Sequence, residues 1–235
     1  GGGSMRIALV GTFDVPNYGD CMFPEVYAFE LRRRLPEAEI SLYAPTARPA
    51  NVLSFEAVRA SPASVGAARA FRDPVDAFIL TGGETIAVGN AVATYDLPRS
   101  ELGHAMRLWF TPLLAAGAGE ARFIAHCVGA RKLDGQTNRL IARVLGEAEL
   151  ITFRDRFSAS WIRDGEAAFD VATDPMFLVD RLMSEEAWRA RAAAMLPAAH
   201  RPGGYLATQV SGVYLKNRFD AWVDAVARIA EANGL

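Results

Sequence analysis

The feature that most constrains the fold is an alternation of short apolar runs with longer segments of helical period. The runs are rich in Val, Ile, Leu and Phe and have the length of buried strands. They are Arg6–Gly11, Glu39–Ala44, Ala77–Thr81, Arg122–Cys127, Leu150–Phe153 and Asp170–Ala172. Strands of this kind, separated by helices, are typical of a parallel sheet covered on both faces. The sequence therefore predicts an α/β fold with a doubly wound, Rossmann-like parallel sheet.

After the first strand, apolar residues recur three or four positions apart. This pattern predicts a helix over Cys21–Leu35, with Pro24 in its first turn and three arginines near its end, where cations suit the helix dipole. Further helices are predicted at Ser100–Ala116, Asp134–Glu147, Arg156–Arg163 and Ser184–Met195.

Composition shifts twice along the chain, and the shifts predict its organisation. Residues 1–4 are interpreted as an expression scar, and residues 5–196 as one Rossmann-like domain. A linker rich in Pro and Gly then leads to a strand, Tyr205–Val210, and a helix, Arg218–Asn233. One strand and one helix cannot bury both faces of a new sheet. We therefore expect residues 197–235 to be an incomplete second α/β unit that packs on the first domain or belongs to a longer chain.

Composition also excludes several classes of protein. The 235 residues include 25 Lys and Arg against 27 Asp and Glu, a net charge of −2, so a nucleic-acid partner is not expected. A content of 51% hydrophobic and 22% charged residues excludes a disordered chain. No apolar run approaches the roughly 20 residues that span a bilayer, and no secretory signal follows Met5. We expect a cytoplasmic protein without a membrane span.

Metal and cofactor sites have little support in the sequence. Cys21 and Cys127 lie far apart, and the three histidines form no HxxxH or HExxH pattern. The first strand is followed by neither a GxGxxG fingerprint nor a Walker lysine. We therefore expect free thiols, no metal and no cofactor.

The loop Gly11–Asp20 joins the first strand directly to a helix. Ligands of open α/β sheets bind at such loops, because the helix N-terminus presents backbone N–H groups. Asn17 and Gly19 tolerate positive φ. Two roles are open for Asp20: capping the helix, which is favoured for this residue taken alone, or reaching into the ligand crevice.

Polar groups also follow the next strands. Gly82 and Gly83 let a ligand or another backbone come close, with Glu84 beside them, although a tight turn alone also explains the pair. His126 lies near the end of a strand and is at least as well explained as a hydrogen-bonded core histidine. Arg154 places a fork of donors at the same edge, which suits a carboxylate or phosphate. The alternative for Arg154 is an ion pair with Asp155 or Asp174 that only fixes the loop.

Taken in order, these segments resemble the polysaccharide pyruvyl transferase family. The matching segments are Asn17-Tyr18-Gly19-Asp20, Gly82-Gly83, Cys127-Val128-Gly129, Phe153-Arg154-Asp155 with Ser158, and Asp174-Pro175 with Phe177. The resemblance spans most of the chain from Met5 to about Asp180.

The resemblance implies one half of a GT-B-type architecture. It implies transfer of a pyruvyl ketal from phosphoenolpyruvate to a sugar of a polysaccharide or glycoconjugate, with release of phosphate. Arg154 would hold the anionic donor, and Asp20 is the candidate base. The other expected substrate-binding residues are Asn17, Tyr18, Gly19, Gly82, Gly83, Glu84 and His126. Phosphoenolpyruvate and a saccharide acceptor are the implied partners, and a homo-oligomer is left open.

The chain departs from the family pattern at two places. Glu84 stands where the family has a third glycine, and the second-domain Arg and His motif has no counterpart after Tyr205. We therefore expect an amino-terminal domain with the start of its partner, which by itself could be inactive. Two other functions stay open: a non-catalytic saccharide- or anion-binding module, and a fragment of a GT-B-type glycosyltransferase.

Overall fold

The computed structural model describes residues 3–15, 17–47, 55, 58–61, 74–88, 101–117, 121–162, 169–195 and 218–234. The chain divides into two units, Gly1–Leu182 and Met183–Leu235. The predicted domain boundary after residue 196 and the predicted strand Tyr205–Val210 lie outside the described residues.

Seven described strands form one sheet in the first unit. They are β1 (Arg6–Val10), β2 (Glu39–Ala44), β3 (Arg59–Ala60), β4 (Ala77–Leu80), β5 (Arg122–Val128), β6 (Leu150–Phe153) and β7 (Asp170–Val171). Every pairing is parallel, and the order across the sheet is β3-β2-β1-β4-β5-β6-β7. The predicted class, a doubly wound, Rossmann-like α/β fold, is therefore confirmed.

The described helices are joined to these strands in the expected alternation. The first unit contains α1 (Tyr18–Arg34), α2 (Glu101–Gly117), α3 (Gly135–Gly146), α4 (Arg156–Trp161) and a 3-10 helix, Pro175–Leu182. The second unit contains α5 (Glu185–Met195) and α6 (Phe219–Ala232).

Both faces of the sheet are buried, because successive strand residues point to opposite sides. Ile7 and Leu9 of β1 join the apolar cluster that includes Phe23 and Tyr27 of α1. Ala8 and Val10 join the cluster on the other face, with side chains of α2 and α3. The core therefore lies in two layers, and the loops between strands and helices emerge at the two edges of the sheet.

Strand ends agree with the sequence prediction to within one residue, but α1 does not. The helix begins at Tyr18, three residues before the predicted start, so Pro24 lies in its interior and not in its first turn. Cys21–Ala28 are all buried, so this half of α1 has no polar face to mark its start. The two-residue strand β3 and the 3-10 helix were not predicted, because both are too short for a clear period.

Candidate functional site

The loops that could form a site emerge at the carboxyl ends of the parallel strands. The chain runs from β1 outward to β2 and β3 and then returns to β4 on the other side of β1. At such a reversal the two neighbouring loops diverge and open a crevice, which is where doubly wound folds bind ligands. Residues after β1, β4, β5 and β6 therefore surround one crevice.

Gly83, after β4, lies between two charged side chains of this crevice. A methyl group at Gly83 would be 3.4 Å from Asp20 Oδ1 and 3.9 Å from Arg154 Nη1. The Asp20 carboxylate and the Arg154 guanidinium therefore both lie within 4 Å of one point beside Gly83. The structure thus brings together the three residues that the sequence placed at separate strand ends.

Gly129, after β5, is what lets Arg154 reach this position. Its N–H donates to the carbonyl oxygen of Gly83 at 2.9 Å, which ties the two loops together. A Cβ at Gly129 would lie 2.6 Å from that oxygen and 2.7 and 2.8 Å from Nε and Cζ of Arg154. Any side chain here would overlap both groups, so the guanidinium occupies room that only glycine provides.

Three carboxylates surround Arg154. Its guanidinium nitrogens lie 3.7 Å from Glu84, 3.4 Å from Asp155 and 4.0 Å from Asp174. The ion pairs that the sequence offered as an alternative therefore exist. All three are longer than the about 2.7–2.9 Å of a close charge-assisted hydrogen bond, and 26% of the Arg154 side chain is exposed. The carboxylates orient the guanidinium without enclosing it.

Asp20 is a partly buried carboxylate with one fixed hydrogen bond. Thr12 Oγ1 donates to Asp20 Oδ1 at 2.7 Å. Burial raises the pKa of Asp20, the charges of Asp14 and Glu84 act in the same direction, and the Thr12 hydrogen bond and Arg154 oppose them. A carboxylate with a raised pKa is a stronger base when ionised, which suits proton transfer.

The N-cap of α1 is Asn17, so the capping role favoured for Asp20 from the sequence is wrong. Asn17 Oδ1 accepts a hydrogen bond from the N–H of Gly19 at 3.0 Å, and Asp20 is already the third residue of the helix. Because the cap is occupied, the Asp20 side chain is available to Thr12 and to the crevice. Tyr18, the first helical residue, is 67% exposed.

Gly82 and Glu84 shape the β4 loop. Gly82 has φ 104°, a conformation that favours glycine, and the chain bends over residues 82–84. Glu84 forms ion pairs with Arg131 and, at 3.7 Å, with Arg154. Arg131 therefore offsets part of the negative charge that Glu84 brings to the crevice.

The His126 side chain does not lie with these crevice residues but on the α1 face of the sheet. A β-bulge shifts the pairing of β5 with β6 between Ala125 and Val128, and Cys127 within it has φ 51°. His126 Nδ1 lies 2.7 Å from the hydroxyl of Tyr27. Burial lowers the pKa of His126, which keeps its ring neutral at neutral pH.

The same ring lines a groove of about 390 Å³ beside α1 and the 3-10 helix. Ile79 and Ile124 also line this groove, whereas Asp20 and Arg154 are not among its described lining residues. This geometry favours the hydrogen-bonded core histidine over the substrate-binding role that was also expected for His126 from its position at a strand end.

Sequence reasoning missed two contributors to the crevice. Thr12 directly follows the glycine after the first strand. Its position in this loop could have predicted that its side chain faces the crevice. Arg131 lies three residues beyond the bulge of β5, and no local pattern marks it. Gly129 belongs to one of the segments that carry the resemblance, but its close approach to Arg154 depends on the neighbouring strands.

The fold and the crevice together define the class of protein: a Rossmann-like α/β protein with an acid and a cation facing each other at the topological switch point. Comparison with models of known protein families gives no match, and comparisons with curated proteins and with solved structures give no significant match. Within the described residues, no helix has the length and apolar character needed to cross a bilayer. The same part of the chain contains no group of His, Cys, Asp and Glu side chains arranged to hold a metal ion.

Proposed function

We propose that this protein transfers a pyruvyl ketal from phosphoenolpyruvate to hydroxyl groups of a saccharide. The observation that carries the proposal is the convergence of the Asp20 carboxylate and the Arg154 guanidinium beside Gly83. Phosphoenolpyruvate is a small anion whose carboxylate and phosphate both suit a guanidinium fork. A sugar hydroxyl must lose a proton to attack it, and an adjacent carboxylate can accept that proton.

The reaction balances with these two groups in named roles. One sugar oxygen forms a bond to C2 of the donor, the methylene carbon gains a proton, and the bond between C2 and the phosphate oxygen breaks. The second sugar oxygen then closes the ketal at C2. Of the two hydroxyl protons, one is accounted for by the new methyl group and the other by the released hydrogen phosphate. Arg154 binds the donor, and Asp20 accepts a hydroxyl proton, which the resulting carboxylic acid can pass to the methylene carbon.

The charges around Arg154 support a donor site in which the cation is positioned before the donor arrives. Asp155 and Asp174 lie at ion-pair distance and orient the guanidinium. Arg131 holds Glu84, which reduces the repulsion that Glu84 exerts on an arriving anion. Positioning of this kind lowers the entropic cost of binding.

Donor binding is tested by titrating phosphoenolpyruvate calorimetrically into the wild type, Arg154→Gln and Arg122→Gln. Arg122 is the matched control, because it also pairs with a carboxylate, Glu149, but at the amino end of β5. We expect Arg154→Gln to bind about 10- to 100-fold more weakly, the loss expected for charge-assisted hydrogen bonds, and Arg122→Gln to bind like the wild type. Absence of donor binding by the wild type, or equal binding by Arg154→Gln, would refute the proposal. Thermal stabilisation by UDP- or GDP-sugars in place of phosphoenolpyruvate would favour a glycosyltransferase.

Turnover is tested by phosphate release in the presence of phosphoenolpyruvate and a saccharide acceptor. Asp20→Asn should lower the rate by about 10²- to 10⁴-fold, because it removes the base, while the affinity for the donor stays close to that of the wild type. A protein that binds saccharide but neither binds phosphoenolpyruvate nor releases phosphate would be the non-catalytic module.

A further inference from the structure

The groove beside α1 lies on the face of the sheet opposite to α2 and α3. Side chains of α2 and α3 belong to the apolar cluster on one face, whereas side chains of α1 and Met176 of the 3-10 helix belong to the cluster on the other. Between α1 and the 3-10 helix, β4, β5 and β6 are left partly uncovered. Leu150, the first residue of β6, lines the groove and is 43% exposed. Apolar surface of the sheet is therefore accessible to a ligand here.

The size and the lining of the groove suit a small molecule with an apolar body. Its volume of about 390 Å³ lies within the range of roughly 300–1,000 Å³ that small-molecule sites have. Ile79 and Ile124 of the sheet and Leu178 of the 3-10 helix supply apolar surface. Val26 and Arg34, which also line the groove, are eight residues apart on α1, so it extends for about 12 Å along the helix. An extended alkyl chain can follow a groove of this length.

The charged groups of the groove lie toward one of its ends. Arg34 is the last residue of α1, which runs from the carboxyl edge of the sheet to the amino edge, and His126 lies near the carboxyl end of β5. The groove therefore has Arg34 at one end and His126 at the other. Burial lowers the pKa of His126, so its ring is neutral at neutral pH. Of the described lining residues, the two that carry a charge are Arg34 and Glu30, one helical turn before it.

The accessible charge at the Arg34 end is positive. Glu30 forms ion pairs with Arg34 and, at 3.1 Å, with Arg33. Its Oε1 lies 3.7 Å from a third guanidinium, that of Arg181. The Glu30 side chain is 13% exposed and its Oε1 is buried, whereas the three arginine side chains are between 56% and 60% exposed. The hydrogen bond from Arg34 lowers the pKa of Glu30, so the carboxyl group is ionised. Three guanidinium groups against one buried carboxylate leave two positive charges that face solvent.

An apolar groove that ends at exposed cations selects the chemistry of its ligand. An alkyl chain would remove water from the apolar lining, and a carboxylate head would accept hydrogen bonds from the planar fork of Arg34. An alkylammonium would place its charge beside the guanidinium groups, which would repel it.

We infer that this groove binds a medium-chain fatty acid, with its carboxylate at Arg34 and its terminal methyl group toward His126. The inference does not depend on the proposed pyruvyl transfer, because neither Asp20 nor Arg154 is among the described residues that line the groove.

Calorimetric titration of the wild type with decanoate, octanoate and decyltrimethylammonium tests the chain and the head group separately. We expect one decanoate to bind per chain. Octanoate should bind about 15-fold more weakly, because each of the two missing methylene groups contributes about 4-fold. Decyltrimethylammonium should bind about 5- to 25-fold more weakly than decanoate, because attraction by exposed guanidinium groups is replaced by repulsion. Absence of decanoate binding, equal binding of the two acids, or equal binding of the ammonium compound would overturn the inference.

Two pairs of variants test whether the binding site is the groove. Arg34→Gln removes the cation at its end, and Arg32→Gln, the matched control, removes an equal charge from the same helical turn, where Arg32 lies over the ring of Phe55. Leu178→Ala removes apolar lining, and Leu114→Ala removes the same side chain from an exposed position of α2. We expect decanoate to bind about 2- to 5-fold more weakly to Arg34→Gln and about 3- to 10-fold more weakly to Leu178→Ala, with both controls like the wild type.

Thermal denaturation of the same samples shows whether each variant is folded. If Leu178→Ala did not fold, Arg34→Gln would still decide the question, because it changes an exposed side chain. Decanoate binding that was the same in each groove variant and its control would overturn the inference. A wild-type dimer in gel filtration that Leu178→Ala dissociates would assign the groove to a second copy of the chain and would also overturn it.

Discussion

Replacing Gly129 by alanine tests the arrangement on which the site depends. The new methyl carbon would lie 2.6 Å from the carbonyl oxygen of Gly83 and 2.7 Å from Arg154 Nε. Nonbonded carbon contacts are normally about 3.5 Å or longer, so the overlap is close to 1 Å. The guanidinium can move away from the methyl group, but the Gly83 oxygen belongs to the backbone, so the hydrogen bond from Gly129 to it must also be distorted.

Overpacking of this size costs about 1–3 kcal/mol, which in a chain of this length lowers Tm by about 2–12 °C. Displacing Arg154 should also weaken phosphoenolpyruvate binding by about 10- to 100-fold, as in Arg154→Gln. Thermal denaturation and calorimetric titration measure the two effects on the same sample.

Gly146→Ala is the matched control, because a Cβ at Gly146, the last residue of α3, would meet no atom within 4 Å. That variant should be as stable as the wild type or slightly more stable, since alanine favours a helix over glycine. If Gly129→Ala kept both the Tm and the donor affinity of the wild type, Arg154 could not lie against Gly129, and the proposed donor site would be wrong.

Three further predictions each test a single feature of the crevice. Gly82→Ala should lower Tm by several degrees, because Gly82 has φ 104°, whereas Gly83→Ala should change Tm little; equal losses in thermal denaturation would contradict this. Asp20→Asn should have a higher Tm than the wild type at about pH 8 and the same Tm at about pH 4. Burial raises the pKa of Asp20 in the folded state, so the ionised carboxylate destabilises the wild type at the higher pH. At the lower pH the carboxyl group is protonated in the folded wild type, and this cost is absent. The amide oxygen of the substituted side chain can still accept the hydrogen bond from Thr12. A gain in Tm that did not depend on pH would therefore contradict burial of the charge as its cause. Asn17→Ala should lower the free energy of unfolding in urea by about 0.5–2 kcal/mol through loss of the cap, and Asn17→Asp should restore most of it.

The sequence predicted the sheet well because its signal is local. A buried strand such as Ala77–Leu80 is a continuous apolar run that begins directly after a charged residue, and this pattern needs no knowledge of the rest of the chain. The start of α1 was harder to predict, because Cys21–Ala28 are all buried and show no change of polarity. Proline is usually found in the first turn of a helix, but Pro24 lies in the second turn of α1.

The sequence by itself determined that Asp20, Gly83 and Arg154 follow strands of one parallel sheet, since alternating strands and helices place all such loops at the same edge. Only the tertiary structure decided which of these residues meet. The contact of Arg154 with Gly129 depends on β5 lying beside β6 and on the bulge in β5. The turn of Asp20 toward Thr12, and of His126 toward Tyr27, likewise depends on how α1 packs on the sheet. These contacts join residues that are separated along the chain, and no local periodicity specifies them.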